Sequence, residues 1–266
     1  MTPSIPESEM EKFIVNTGWH PPPQRDREGQ DSTQEDVLVF TSKRSLYVID
    51  QDKTITEIVT RDTPRWPLCN HNGILYDGGS DGKIFDTVKG NIVSERYHAV
   101  DSLCSHRGSL YSTGSPNGIV DIFTYRIIGG RGRVSNSLCS YQGILYDIAH
   151  DGKIRNTMND SVIARCSNDA DNLCSLHGKL FHTEKRGEHE KGEFGVFETI
   201  SRRCITTRDT RIKSLFPFNG SLYDVTKDGE IHDTFNNVKF LDCEMKVTAM
   251  CGYHRKTFVE GGILPP

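Results

Sequence analysis

One ten-residue pattern recurs six times along this chain. It first reads Leu-Cys-Asn-His-Asn-Gly-Ile-Leu-Tyr-Asp at residues 68–77, and edited copies start at Leu103, Leu138, Leu173, Leu215 and Met250. The starts are 35, 35, 35, 42 and 35 residues apart. Short apolar runs separated by Gly, Asp and Asn at such a period indicate one small unit that is stacked repeatedly around or along an axis. The repeat constrains the fold strongly and leaves the activity open, because one repeat architecture supports many functions.

Each unit contains four short candidate strands. Residues 102–105 and 109–112 form the first two strands around a tight turn, and residues 83–87 and 91–96 illustrate the third and fourth strands of another unit. Apolar stretches of ten residues with a 3.6-residue period, which a helical repeat requires, are not found. Four strands in about 35 residues predict one blade of an all-β propeller.

The ends of the chain decide the number of blades. Residues 37–50 read as a hairpin and residues 54–61 as a fourth strand, so the first blade lacks an inner strand. Residues 249–253 read as an inner strand without a blade. Joining the two would close the ring and remove its exposed edges. This alignment predicts six four-stranded blades, closed by pairing of N- and C-terminal strands. A rival alignment places residues 39–48 on the repeated hairpin and counts seven.

The order of strands resembles that of WD-repeat and related propellers, and the wording Leu-Cys-Ser-His-x-Gly-x-Leu-Tyr-Asp is similar to tandem repeats of uncharacterised archaeal proteins. The resemblance covers about residues 37 to 259. The Gly-His and Trp-Asp dipeptides of the WD repeat are absent from the matching positions. The resemblance therefore implies a β-propeller and says almost nothing about chemistry.

Composition limits the possible partners. The chain has 32 basic and 36 acidic residues and a formal charge of −4, without the basic footprint that a nucleic-acid backbone requires. Nucleic acid is therefore not an expected partner.

The N-terminus lacks the pattern of a signal peptide, and no stretch approaches the ~20 apolar residues of a membrane span. We expect a cytoplasmic monomer with no membrane association. Residues 1–36 are expected to be a polar, Pro-rich extension that is a loop or disordered, and residues 37–266 a single propeller domain.

Cysteines recur at one repeat position rather than in pairs. Five of the eight occupy that position, which favours small apolar core residues with reduced thiols over disulfides. The closely spaced Cys and His pairs that are typical of zinc sites are absent, so neither a metal nor a cofactor is expected. Aspartates that precede glycine at the start of the third strand are read as turn formers: Asp81, Asp151 and Asp228.

Two other recurring sets are read as structural. An acid near the end of the third strand precedes a basic residue by ten positions, as in Asp86 with Arg96 and Glu198 with Arg208, and we expect the two to meet between blades. Histidine and aromatic residues end most inner strands, where packing at one rim explains them and a stacking platform for a ligand is the alternative. The members of the second set are His71, His106, Tyr141, Phe218 and Tyr253.

The two residues before each inner strand are expected to border the mouth of the central channel. They contribute a ring of carboxylates, amides, a lysine and an indole, which suits a polar ligand or a charged side chain of a peptide. The candidate binding residues are Trp66, Asp101, Asn136, Asp171 and Lys213, with His98 in one of the same loops. The seven-residue expansion within residues 183–194 is expected to project from that face.

The motifs of common catalytic and nucleotide-binding sites do not occur in the chain. The favoured hypothesis is a non-catalytic scaffold that presents its loop-rich face to a protein or peptide partner, and enzymatic activity is not expected. The alternatives are a propeller hydrolase or lactonase that uses Asp101, Asp171 and His98, and a glycan-binding propeller with its ligand at the mouth.

Overall fold

Tight two-residue turns fold each repeat into hairpins. Between the first and second strands of five repeats, a residue with positive φ is followed by a glycine with positive φ. Two left-handed residues in succession define the type I′ turn, whose twist matches that of the strands it joins. The five pairs are Asn72-Gly73, Arg107-Gly108, Gln142-Gly143, His177-Gly178 and Asn219-Gly220.

The computed structural model describes residues 36–114, 118–130, 132, 134–186 and 193–254, and of the last residue only the backbone. These residues form six antiparallel sheets of four strands each. Blade 1 consists of β1 (Asp36–Ser42), β2 (Ser45–Ile49), β3 (Ile55–Thr60) and the last strand, β24 (Ala249–His254). Blade 2 consists of β4 (Arg65–His71), β5 (Ile74–Gly79), β6 (Lys83–Asp86) and β7 (Ile92–Glu95).

The other four blades follow in chain order. Blade 3 consists of β8 (Ser102–His106), β9 (Ser109–Thr113), β10 (Ile119–Asp121) and β11 (Ile127–Gly129). Blade 4 consists of β12 (Ser135–Tyr141), β13 (Ile144–Ala149), β14 (Lys153–Asn156) and β15 (Val162–Arg165). Blade 5 consists of β16 (Leu173–Leu176), β17 (Lys179–Arg186), β18 (Glu193–Glu198) and β19 (Cys204–Arg208). Blade 6 consists of β20 (Ile212–Phe218), β21 (Ser221–Thr226), β22 (Glu230–Asp233) and β23 (Val238–Asp242).

The ring closes by pairing of the two ends of the chain. β24 is the inner strand of blade 1 and pairs antiparallel with β1, with Phe40 opposite Met250 and Leu38 opposite Gly252. Each inner strand contacts the inner strands of both neighbouring blades, including β20 with β24 and β24 with β4. The prediction of six blades and of closure by the terminal strands is confirmed. The seven-blade alignment is wrong, because β1 is the second strand of its blade rather than the inner one.

The apolar core lies mainly between neighbouring blades. The leucine at the second position of the repeated second strand is fully or almost fully buried in blades 2 to 6: Leu75, Leu110, Leu145, Leu180 and Leu222. Burial of each such side chain contributes about 1.5–3 kcal/mol relative to its exposure. The repeated cysteines pack beside these leucines, and burial raises the pKa of the Cys69 thiol to about 12. The expected role of these thiols in the core is confirmed.

The Asp-Gly turns support the crossing from one blade to the next. Asp81 accepts a hydrogen bond from the Lys83 amide at 3.1 Å, which is the expected turn geometry. Gly82 has a φ of 77°, and a Cβ atom there would lie 2.1 Å from the carbonyl oxygen of Arg96. Its own carbonyl accepts the Arg96 amide at 3.0 Å. Glycine is required because the backbone of the crossing segment packs directly on the turn.

At three of the described crossings a basic residue reaches into the next blade: Arg61, Arg96 and Arg208. Arg208 forms a bidentate pair with Asp224 of blade 6, with both N–O distances 2.8 Å. Thr234 donates a third hydrogen bond to Asp224 at 2.9 Å. In blade 2, Asp77 is held in the same way by Arg61 and by the fully buried Arg65. These charges lie at the boundary between blades, where their partners compensate for the loss of hydration.

The acids that were expected to pair with these arginines have other partners. Asp86 accepts the Lys89 amide in its own turn at 3.0 Å, and Glu198 pairs with Lys179 at 3.2 Å. The predicted contacts of Asp86 with Arg96 and of Glu198 with Arg208 are therefore wrong. The physical reason is that the third strand ends at its turn into the fourth strand, whereas the pairing of Lys83 with Glu95 places Arg96 at the opposite end of that hairpin, from which it extends toward the following blade.

The rim opposite the crossings is joined by hydrogen bonds from the residues that end the inner strands. His71 and His106 each bond, at 2.8 Å, to a serine one blade further on. The hydroxyl groups of Tyr141 and Tyr253 donate to glycine carbonyls of the next blade at 2.9 and 3.1 Å. These contacts explain the recurring rim residues by packing.

Among the described residues, no helix has the length and apolar character that a membrane crossing needs.

Candidate functional site at the channel mouth

Six inner strands bring one polar ring to the mouth of the channel. A cavity of about 360 Å³ is lined by three consecutive residues from the start of each inner strand: 66–68, 101–103, 136–138, 171–173, 213–215 and 248–250. Five of the six candidate binding residues, Trp66, Asp101, Asn136, Asp171 and Lys213, belong to this lining. All six pairs that were expected to border the mouth therefore lie around one cavity, and their role in binding stays a prediction.

Small hydroxyl residues fix the ring from blade to blade. The Ser102 hydroxyl accepts the Leu138 amide at 3.0 Å, and the Ser137 hydroxyl accepts the Leu173 amide at 3.1 Å. Ser214 accepts the Met250 amide at 3.3 Å across the junction of blades 6 and 1. Each bond satisfies a buried backbone group and sets the height of one inner strand against the next. The side chains that precede these serines are thereby held at a common level.

Asp171 is neutralised within the ring. The guanidinium group of Arg211 forms an ion pair with its carboxylate, with Nε 3.1 Å from Oδ2. The amide nitrogen of Asn136 lies 3.3 Å from the carbonyl oxygen of Ala170 and 3.5 Å from Asp171 Oδ1. The carboxylate is thus shared by groups of three blades, and its charge faces a cation.

Positive charges predominate around Lys213. Burial lowers the pKa of its ammonium group below the ordinary value, the neighbouring charges of Arg211 and Lys227 lower it further, and Asp171 opposes the shift. Lys213 therefore lies near two further cations, Arg211 and Lys227, and one carboxylate, Asp171. An anionic group that enters here would replace hydration that Lys213 has partly lost and would relieve repulsion among the cations.

The other carboxylate of the ring lies in a different blade. Asp101 is exposed, and its charge acts on Arg96, whose pKa is lowered mainly by burial and raised by Asp101. Arg96 also donates to Ser112 of blade 3 at 2.6 Å. Asp101 therefore contributes a second, negative sector that lies across the ring from Lys213.

His98 lies outside the lining of the cavity. It is exposed, and its carbonyl oxygen packs against the Asp81-Gly82 turn of blade 2. Asp101 and Asp171 come from blades 3 and 5, with Asn136 of blade 4 between them. The acid, base and imidazole that the hydrolase alternative requires are therefore not grouped in the mouth.

Sequence reasoning did not anticipate the cation that pairs with Asp171 or the serines that connect the inner strands. Arg211 lies 40 residues from Asp171, in the longer spacing that precedes blade 6. The serines did carry a signal, because Ser102, Ser137 and Ser214 recur directly before the repeated leucine. These serines were predicted only as residues that border the mouth, and their recurrence also marked a shared role in connecting neighbouring inner strands.

No family model matches the chain, and no curated protein matches it. A chain in the crystal structure of the Mitotic Checkpoint Complex is similar to this one over 80% of this chain and 80% of its own, with 14% identity and a TM-score of 0.54. The crystal structure of the computationally designed Ika8 protein matches over 80% of this chain and 76% of its own, with 16% identity and a TM-score of 0.48. The likeness to the first of these supports a propeller arrangement and concerns the fold alone.

Proposed function

We propose that this protein is a non-catalytic β-propeller scaffold whose channel mouth binds an acidic side chain or terminal carboxylate of a protein partner. One observation carries the proposal: the mouth is a polar cavity of about 360 Å³ that receives three residues from every blade and has a basic sector at Lys213. A cavity of this size, with a few convergent polar groups on a rigid frame, suits a single projecting group of a larger partner.

The charge balance favours an anion over other ligands. Asp171 already has Arg211 as its counterion, whereas Lys213 is half-buried beside two further cations. An incoming carboxylate would gain a charge-assisted hydrogen bond from Lys213. Trp66, two blades from Lys213 along the ring, would add apolar contact area.

The two alternatives find less support. A hydrolase would need an acid and a base on one substrate atom, and His98 is not among the residues that line the mouth. A glycan-binding platform at the mouth would need several aromatic faces, and Trp66 is the only aromatic residue among the described residues that line it. The WD-repeat-like layout and a cytoplasmic location remain part of this proposal.

The proposal is tested by selecting peptides from a random displayed library on the purified protein. We expect enriched peptides to share an acidic residue or a free C-terminal carboxylate. The charge reversal Lys213→Glu should weaken their binding at least about tenfold, since it replaces an attractive contact by a repulsive one. Lys89→Glu is the matched control, because Lys89 lies in the β6–β7 turn with a side chain 71% exposed and should leave binding unchanged.

Two results would contradict the proposal. One is a failure to enrich any peptide above the level obtained with an unrelated propeller as bait. The other is equal binding of the selected peptides to both variants, which would locate recognition away from the mouth. Circular dichroism and thermal unfolding of the Lys213→Glu variant establish that its ring is intact.

A further inference from the structure

Three metal-binding side chains meet at the boundary between blades 4 and 5. Cys166 is the first residue after β15, and its amide donates to the Gly152 carbonyl at 2.6 Å. His182 and Glu184 lie two residues apart on β17, so both point to the same face of that strand. One donor atom of each of the three residues lies within 4.8 Å of the donor atoms of the other two.

The boundary is an exception within the repeat. Cys166 precedes His182 by 16 residues, the spacing at which Arg208 precedes its buried partner Asp224. The guanidinium and carboxylate of the usual pair are here replaced by a thiol and an imidazole. A carboxylate is added two positions later, at Glu184, where the corresponding residue of blade 6 is Thr226. Together these changes convert the position of an ion pair into a set of sulfur, nitrogen and oxygen ligands.

A second observation points to a bound ion. The side chain of His182 is completely buried, and its Nδ1 atom lies 3.1 Å from the Thr199 hydroxyl. Among the described residues its Nε2 atom has no hydrogen-bond partner, and it lies 3.8 Å from Glu184 Oε2. A buried polar atom in this state costs about 1–3 kcal/mol. Donation from Nδ1–H to Thr199 would leave the Nε2 lone pair free for a metal, the arrangement common among histidine ligands.

The carboxylate of Glu184 is oriented by two other groups. The Ser167 amide donates to Oε2 at 2.7 Å. The guanidinium group of Arg202 lies 3.3 Å from Oε1 and 3.4 Å from the Cys166 sulfur. The Arg202 side chain is 45% exposed, so it can move into solvent. The guanidinium group of Arg202 therefore occupies the position that a metal ion would take, and it can move into solvent when an ion binds.

We propose that Cys166, His182 and Glu184 form a zinc site that ties the crossing segment 166–172 to β17. Thiolate, imidazole and carboxylate are the three ligand types that zinc uses, and a water molecule would complete a tetrahedral shell. The donor atoms need to contract by about 1 Å from their present separations to reach zinc–ligand distances of roughly 2.0–2.3 Å. A thiolate and a carboxylate would neutralise the divalent ion at this boundary.

Cobalt(II) is the probe for the test, because thiolate ligation gives it a charge-transfer absorption and tetrahedral ligation gives intense visible bands. We expect reduced, metal-free protein to bind one cobalt ion per chain with both signatures, and added zinc to displace it. Cys166→Ser should remove the charge-transfer band. Cys204→Ser is the matched control: this half-buried cysteine of the same blade donates to the Thr206 carbonyl and should leave the spectrum unchanged.

Arg202→Ala separates a metal site from a purely structural cluster. Removal of a like charge about 4 Å from the ion should tighten cobalt binding about fivefold or more. A cluster that only packs would lose stability in this variant without any gain in cobalt affinity, and that result would overturn the proposal. Saturable binding without a thiolate band, or the same band in Cys166→Ser, would also overturn it. Lys213→Glu should leave the cobalt spectrum unchanged, so the outcome is independent of the channel mouth.

Discussion

The Arg208–Asp224 pair allows a quantitative test of how neighbouring blades are joined. Asp224 is fully buried and the side chain of Arg208 is 8% exposed. Asp224→Leu leaves the guanidinium buried without its carboxylate, and removal of one member of a buried ion pair costs about 3–5 kcal/mol. For a chain of this size, a melting temperature falls about 2–4 °C per kcal/mol. We expect a decrease of roughly 6–20 °C.

The double variant Arg208→Met/Asp224→Leu should recover most of this loss. Replacement of a whole buried ion pair by apolar residues of similar volume is often neutral. The junction of blades 6 and 1 already has apolar residues in place of such an ion pair, since Cys243 packs in one cluster with Phe40. We therefore expect the cost of the double variant to be about 2 kcal/mol or more below the sum of the two single costs.

Urea unfolding of the wild type, both single variants and the double variant completes the cycle. The exposed pair Lys179–Glu198 of blade 5, with N–O distance 3.2 Å and side chains 51% and 16% exposed, serves as control. Its cycle should give a coupling energy below about 1 kcal/mol. Additive costs at Arg208 and Asp224, or a loss below about 1 kcal/mol in Asp224→Leu, would refute the argument that desolvation makes the pair interdependent.

Two further predictions concern acid stability and ring closure. The hydrogen bonds from Arg155 hold the pKa of Asp151 well below its ordinary value, so this carboxylate stabilises the fold above the unfolded-state pKa of about 4 and loses that effect as pH falls toward the folded-state value. Asp151→Asn should therefore lower the urea midpoint most at pH 7 and less as the pH falls below about 4, and an equal deficit at pH 7 and pH 3 would contradict this assignment. Ser214→Ala removes the acceptor of the Met250 amide across the closure and should cost about 1 kcal/mol in thermal unfolding, whereas an unchanged melting temperature would mean that the bond does not support the junction.

The repeat period made the ring predictable from the chain alone. Spacing of 35 residues fixed the number of strands per blade, and the missing inner strand of the first blade indicated closure by the last inner strand. The mouth residues followed from the strand order, because every inner strand starts at the same end of the channel. These features depend on the local alternation of apolar and polar residues and on the repeat period, both of which are visible in the amino-acid sequence.

Contacts between blades were harder to foresee. Arg208 is ten residues after Glu198 and 16 residues before Asp224, and a periodic sequence offers both acids equally. The unit of Cys166 does not separate them, because both Asn156 and His182 replace an acid there. The unit of Cys243 does, because Asp233 is retained whereas the next-blade partner is Phe40. That partner is visible only after the ring is closed, since Phe40 belongs to β1. Three-dimensional closure therefore carries information that linear spacing does not.

The shared blade also imposes an order on synthesis. Blade 1 cannot form its complete sheet until Ala249–His254 has left the ribosome, although β1 to β3 emerge first. For most of translation, β1 presents an unpaired edge whose side chains include Val37, Val39 and Phe40. Blades 2 to 6 can pair their own strands in sequence during this time. The ring is therefore complete only when β24 pairs with β1. A nascent chain interrupted before β24 would expose an edge prone to aggregation or to capture by chaperones.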